Sequence, residues 1–325
     1  MSETKQHLYY VGYMDLLGYK DYFESHRDEI ETFLTTITDA IHGAVSYIQN
    51  WTEKIKNIKT LPQLIIRVFS DNILIAAKCS SDSDDATWCL RLAFAMGVIQ
   101  LKFIEKYGLF LRGALTKGMF YIDECFVFGE ALIKVVELEK TACYPKILVD
   151  SIEAKKVEEF ILEIEKHEKE LGQELFASFS RILAFDGDGS FFVNYLGAYS
   201  WKGLENCLQF RNYFSLSPHD TPESIISKPF HKDYCKDTES IIQLMKHRET
   251  IIVKLKEYGN YNDKHLKNPC VQISLDKRWR IILKYLWSLD YHNKVCELSG
   301  FTEHAINTAI RIDTHTHQPI VEVLS

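Results

Sequence analysis

Short apolar runs alternate along this chain with longer stretches of helical spacing, and their order predicts most of the elements. Residues 8–13 read as a strand. Ile30, Phe33, Leu34, Ile37, Ile41, Ala44, Val45 and Ile48 recur at three- and four-residue intervals, which predicts a helix over 28–49. Residues 64–69 and 73–77 are Ile- and Val-rich runs separated by Ser70, Asp71 and Asn72, residues that tolerate turns, so a hairpin with Asp71 at its tip is expected. Asp82 to Asp85 offers an N-cap for an amphipathic helix over about 85–106, ending near Gly108. Strands are expected at Leu109 to Thr116 and Glu124 to Phe128, then a helix introduced by Gly129 and running through Glu139. Pro145 to Val149 and Phe191 to Leu196 read as later strands, and 153–174 as a solvated helix.

That order suits an α/β (α+β) fold, a ferredoxin-like layered sheet with helices on one face. After Pro218 the pattern is helical over 237–257 and 275–298. The expected division is therefore an α/β domain over 1–215 and a helical C-terminal appendix over 216–325.

Composition narrows the function classes. A formal net charge of -7 argues against a general nucleic-acid coat, which needs excess Lys and Arg. No apolar run approaches the roughly 20 residues that cross a bilayer, and the first residues lack the layout of a signal peptide. The 8 cysteines contain no Cys-x-x-Cys pair, so reduced thiols in a cytoplasmic protein are expected. Asp186-Gly187-Asp188-Gly189 lacks the distal Glu of a calcium loop and reads as a plain turn. His315 and His317 have no metal-spaced third ligand, and Trp279, Tyr285, Trp287 and Tyr291 read as helix packing.

The chemistry concentrates in Tyr13-Met14-Asp15-Leu16-Leu17-Gly18-Tyr19 and in Arg67-Val68-Phe69-Ser70-Asp71-Asn72. Each places a carboxylate at the edge of an apolar, strand-like run, a poor way to build a core and a good way to hold a divalent cation. Brought together by neighbouring strands, Asp15 and Asp71 could clamp two such ions on a nucleoside triphosphate.

The first segment resembles the first metal-binding strand of class III nucleotidyl cyclases, and Arg67 to Asp71 the hairpin that carries their second metal Asp. Arg112-Gly113-Ala114 with Gly118, Phe128-Gly129-Glu130-Ala131-Leu132, Glu137-Leu138-Glu139 and Tyr144 to Val149 resemble the strand, dimer arm, strand-to-helix turn and following strand of those enzymes. Asp186-Gly187 with Phe192 to Leu196, and Lys284 to Trp287 with Tyr291-His292-Asn293, look like one bacterial branch, the pyrimidine nucleotide cyclases of Pycsar anti-phage defence.

The resemblance implies that Asp15 and Asp71, with the carbonyl of Leu16, bind two Mg²⁺ or Mn²⁺ ions. Leu17, Gly18 and Tyr19 would face the triphosphate through their amides, with Gly18 allowing close approach. Arg67 would read the base, and Glu130 would complete the nucleotide-binding set. It also implies a homodimer with a shared site, UTP (or CTP) as substrate, and a separate downstream protein that senses the cyclic nucleotide. Neither nucleic acid nor membrane is an expected partner. The purine cyclases carry an Asn and an Arg on the helix after the Gly turn, whereas the matching positions here are Ile133 and Glu137, which cannot donate to a phosphate oxygen. Lys134, Arg112 and Lys117 are the nearby cations, with Lys134 and Arg112 the catalytic candidates. The competing readings are a CTP, ATP or GTP cyclase, a nucleotide-binding module without turnover, and a polymerase-palm-like nucleotidyltransferase.

Overall fold

The computed structural model describes residues 7–29, 31–40, 42–43, 64–79, 85–166, 182–196, 238–259, 275–298, 302–312 and 319–324. By contacts the chain separates into two compact units, Met1–Ala142 with Lys146–Lys228, and Cys143–Pro145 with Pro229–Ser325. The expected boundary near 215 falls outside the described residues.

The first unit is built from β1 (His7–Leu16), α1 (Tyr19–Ser25), α2 (residues 31–40), β2 (Leu64–Phe69), β3 (Asn72–Lys78), α3 (Asp85–Tyr107) and β4 (Leu111–Ile122). β5 (Val127–Phe128), α4 (Glu130–Thr141), β6 (Ile147–Val149), α5 (Ser151–Lys166), β7 (Leu183–Phe185) and β8 (Phe191–Val193) follow. The strands of this unit form one sheet in the order β2-β3-β1-β4-β6-β8-β7, with β5 paired to β4 alone. Antiparallel β2-β3-β1-β4, reached through a helix on each side of the β2–β3 hairpin, is the ferredoxin-like arrangement.

Side-chain alternation sorts this sheet into two faces. Tyr10, Met14, Leu16, Ile73, Ile75, Leu111 and Leu115 face α3 and α5 and form the main core. α3 is long and apolar enough over Ala86–Tyr107 to cross a membrane, contrary to the sequence expectation, but 94% of its apolar stretch is buried inside the protein. A helix apolar all round belongs in a core, which is where this one lies.

α4 departs from the expected one-sided layering. Its inner residues Ala131, Val135 and Glu139 are buried, and Ala131 packs against Gly118 on the opposite face of β4 from Leu115. The entry to α4 requires a glycine: Gly129 has φ 139°, and a Cβ there would lie 2.6 Å from the Met119 carbonyl oxygen and 2.8 Å from Phe120 Cα.

Other elements differ in extent. β4 runs on to Ile122 and pairs with β5 in a short hairpin, beyond the strand end expected at Thr116. Its turn is fixed by Asp123, whose Oδ1 accepts from the amides of Cys125 and Phe126, each at 2.7 Å. Those bonds curl the chain where a strand was expected from Glu124. β7 was not anticipated. It pairs with β8 through the Asp186–Ser190 turn, whose carboxylates close on a cation from within the chain. The buried Lys146 Nζ donates to Asp186 Oδ2 at 2.7 Å, Asp188 Oδ2 at 2.6 Å and Ser190 Oγ at 2.9 Å. The 28–49 helix is seen over 31–40 and at 42–43, preceded by a 3-10 turn at Arg27–Glu29 where its first residues were expected; residues 30, 41 and 44–49, and α5's expected extension to 174, lie outside the described residues.

The second unit holds α6 (Thr238–Gly259) and α7 (Leu275–Leu298), as expected, packed together. It also carries β9 (Thr308–Ile312) paired antiparallel with β10 (Pro319–Val323), so the appendix is not wholly helical. His315 and His317 lie outside the described residues. Trp287 stacks with Tyr291 and Tyr258 with Tyr285, in keeping with a packing role for Tyr285, Trp287 and Tyr291; the side chain of Trp279 lies outside what is described. His247, His292 and Cys296 are fully buried between α6 and α7, with His247 Nδ1 3.1 Å from His292 Nδ1.

Candidate nucleotide and metal site

The site candidates come together through strand register. Phe69, Asn72, Asp15 and Arg112 stand opposite one another in a row across β2, β3, β1 and β4. The next row on the same face is Arg67, Leu74, Tyr13 and Ala114. A period of two therefore puts Arg67, Tyr13, Asn72, Asp15 and Arg112 on one surface, opposite α3.

Asp71 is brought in by the hairpin. Phe69 pairs with Asn72, which leaves Ser70 and Asp71 as a two-residue turn, with Ser70 in the left-handed region at φ 56°. The Leu16 amide donates to the Asp71 carbonyl at 2.9 Å, fastening that tip to the end of β1. Asn72 Nδ2 donates to Asp71 Oδ1 at 3.0 Å, and the Tyr13 hydroxyl donates to Asn72 Oδ1. Tyr13 senses the cluster as a whole: burial raises its pKa first, and the charges of Glu139, Asp15 and Asp71 raise it further, against Arg112. Four charged groups thus converge on one phenol.

The resulting donor set is hard oxygen: two carboxylates and the Leu16 carbonyl. It suits Mg²⁺ or Mn²⁺ and not a soft, thiolate-preferring metal. Among the described residues, no group of three or more His, Cys, Asp or Glu side chains is arranged to hold a metal, so the fit rests on these two carboxylates and backbone.

Arg112 is engaged at both ends of its guanidinium. Nη2 donates to Asp15 Oδ2 at 3.3 Å, and Nε donates to Oε1 of Glu139, a buried carboxylate on the inner side of α4. Sequence reading had Glu139 only as part of a motif; its spacing of eight from Ala131 and four from Val135 would have placed it on the buried face. Arg67 donates from Nη1 to the Ile66 carbonyl at 3.1 Å and from Nη2 to the Asp123 carbonyl at 3.2 Å, reaching the β4–β5 turn.

The nucleotide-facing candidates are placed as follows. The Leu17 amide donates to the Phe110 carbonyl at 2.9 Å and is taken up by the sheet edge. Gly18, at φ 81°, caps α1, and its carbonyl accepts from the Tyr22 amide at 3.0 Å. Tyr19 opens α1, with its ring against Phe23 and Phe33.

Glu130 and Lys134 lie on the outer face of α4, where Phe128, Gly129, Ile133 and Glu137 join them in lining an open groove of about 650 Å³. Lys134 Nζ pairs with Asp150 Oδ2 at 2.6 Å. Burial would raise the pKa of Asp150, but hydrogen bonds from Lys134, the Ile152 amide and Thr116 outweigh it and hold the carboxyl below its usual range. The inner and outer faces of α4 therefore divide the candidates: Asp15, Asp71, Arg112 and Arg67 gather on the sheet, while Glu130 and Lys134 border the groove.

No family model matches this chain, and no curated protein does. Among solved structures it is similar to the guanylyl cyclase Cya2, at 14% identity and TM-score 0.34 over 47% of this chain and 80% of that one. It is similar to the adenylyl cyclase CyaB from P. aeruginosa at 13% identity and TM-score 0.33, over 48% of this chain and 83% of that one. An adenylate/guanylate cyclase/hydrolase from Silicibacter pomeroyi gives 14% identity and TM-score 0.34, over 58% of this chain and 95% of that one.

Proposed function

We propose that this protein is a nucleotidyl cyclase that converts UTP to 3′,5′-cyclic UMP and pyrophosphate, with CTP as the alternative pyrimidine substrate. The observation that carries the reading is the meeting of Asp15 with the Asp71 hairpin at one sheet edge, tied by the Leu16-to-Asp71 backbone bond. In this reading Asp15, Asp71 and the Leu16 carbonyl hold two Mg²⁺ or Mn²⁺ ions. When bound, such ions lower the pKa of the ribose 3′-hydroxyl and neutralise charge on the departing pyrophosphate.

The chain's own residues do the rest. Gly18 and Tyr19, at the start of α1, border the triphosphate, with Leu17 supporting them from the sheet. Arg67 presents a forked donor toward the base, where a pyrimidine leaves room for a long side chain. Lys134 and Arg112 are the cations for the developing phosphate charge, with Glu130 beside the nucleotide.

The division of the site supports a homodimer. The groove on the outer face of α4 is bordered by Phe128 and Ile133, both exposed, and Met119 and Phe126 are exposed on the adjoining hairpin. A second protomer would cover this apolar surface and bring Lys134 and Glu130 to its partner's carboxylates. We place the enzyme in the cytoplasm as the source of a second messenger in anti-phage defence, read by a separate cyclic-nucleotide-sensing effector.

Ile133 and Glu137 favour one second reading, a nucleotide-binding module without turnover, since neither can donate to a phosphate. Incubating the purified protein with each of the four NTPs and Mn²⁺ and identifying products by mass separates the two. A cyclic pyrimidine nucleotide is expected. A cyclic purine nucleotide would overturn the substrate choice, and nucleotide binding without any product would leave the module.

A further inference from the structure

We propose that Arg112 is a resident counter-ion for Asp15 and that Glu139 is the positioning residue that draws it aside when a divalent cation binds. The proposal rests on the metal role of Asp15 given above. Arg112 stands directly opposite Asp15 in the β1–β4 register, and its guanidinium serves two carboxylates at once. Its bond to Asp15 is the longer, 3.3 Å from Nη2 to Oδ2, and reaches a carboxylate that remains about a quarter exposed. Its bond to Glu139 is the closer, and Glu139 is buried.

A charge-assisted bond to a buried carboxylate is the stronger of two such bonds, because water does not screen it. Glu139 therefore sets where the guanidinium rests, and Asp15 holds a looser share of it. A divalent cation on Asp15 competes with Arg112 for the same oxygens and repels it across a few ångströms. The Glu139 carboxylate gives Arg112 a partner to retreat to. Neutralising Glu139 leaves Asp15 as the remaining carboxylate that the described structure gives Arg112, so the guanidinium settles there and opposes the metal. Removing Arg112 takes the competitor away, and Glu139 then has nothing to draw aside.

The simpler alternative is that both residues act on the metal only as fixed charges at a distance, in which case their effects add. A double-mutant cycle separates the two. Mn²⁺ binding to the full-length protein without nucleotide is measured from the electron paramagnetic resonance of free Mn²⁺, for wild type, Asp15→Asn, Arg112→Gln, Glu139→Gln and the Arg112→Gln/Glu139→Gln double variant. Circular dichroism confirms the fold of each.

Glu139→Gln is expected to weaken Mn²⁺ binding about fivefold and Arg112→Gln to strengthen it severalfold, while the double variant stays within about twofold of Arg112→Gln. A Glu139→Gln effect that persists undiminished in the Arg112→Gln background overturns the proposal, as does an Arg112→Gln protein that binds Mn²⁺ no better than wild type. The second result needs no folded Glu139→Gln protein. If wild type shows no Mn²⁺ binding sensitive to Asp15→Asn, the metal reading itself fails and takes this inference with it. Asp15-dependent binding without coupling removes the inference alone.

Discussion

The backbone amide of Leu16 donates to the carbonyl of Asp71 at 2.9 Å, so the two segments that carry the candidate metal carboxylates are joined by main chain. Their side chains can be exchanged without breaking that join. Asp71→Ala is expected to shift unfolding stability by no more than about 0.5 kcal/mol, as at other partly exposed positions. Asp15→Ala leaves Arg112 paired with Glu139 and is expected to behave alike. Thermal melts by circular dichroism check this; a loss of several kcal/mol in either variant would mean that the carboxylates hold the fold.

Arg67 shares its sheet face with Asp15 but lies one row further from the strand ends, at the level of Tyr13. Removing it should change base choice more than metal binding. Arg67→Ala is expected to raise KM for the preferred NTP and level the relative use of the four. Competition assays with equimolar NTPs measure this directly. Unchanged relative use would put the base pocket elsewhere.

Two glycines at helix starts should respond differently to alanine. At Gly129 a Cβ meets Met119 and Phe120 backbone within 3 Å, whereas at Gly18 nothing lies within 4 Å and only the φ of 81° resists. Gly18→Ala is expected to cost about 1 kcal/mol, and Gly129→Ala more than about 2 kcal/mol, because backbone must move. Denaturant midpoints at constant slope give the comparison, and equal losses would contradict the packing described at β4.

The buried histidine pair gives a pH dependence to the second unit. His292 Nε2 faces the His304 carbonyl at 3.1 Å, which can only accept, so Nε2 carries the proton and Nδ1 accepts from His247. Burial pushes His292 down to about 4, helped by Arg248 and His304 and opposed by that carbonyl. Burial also drives His247 well below 6.5, with His292 adding to the effect. A depressed histidine pKa stabilises the fold fully above about 6.5, and that stability drains away as pH falls toward 4, about 3 kcal/mol for His292 alone. Ring resonances followed by NMR should show His292 titrating near 4, assigned with His292→Gln. Titration near 6.5 would contradict the burial.

Much of the sheet was legible because its signals are local. The Ser70-Asp71-Asn72 hairpin and the Gly129 start of α4 each announce themselves within a few residues, and α3 was legible as a helix, though as an amphipathic one where the structure buries it all round. β7 and the β9–β10 pair escaped because three or five residues cannot establish a period, and their partners are chosen by tertiary contact. The Asp186–Ser190 turn was read as a turn, but nothing local showed that Lys146, about forty residues earlier, would fill it. Asp15 and Asp71 were legible as carboxylates at the ends of apolar runs. The Arg112–Glu139 pair was not, because it depends on which face α4 turns to the sheet.

The most direct test of the central claim compares wild type with Asp15→Ala and Asp71→Ala, each incubated with UTP and Mn²⁺, with product identified by mass. Wild type is expected to form cyclic UMP and pyrophosphate in equal amounts. Each variant should lose about a thousandfold in rate, roughly 4 kcal/mol of transition-state stabilisation, while keeping its fold. Full activity in either variant would contradict the assignment of these two aspartates to the metals.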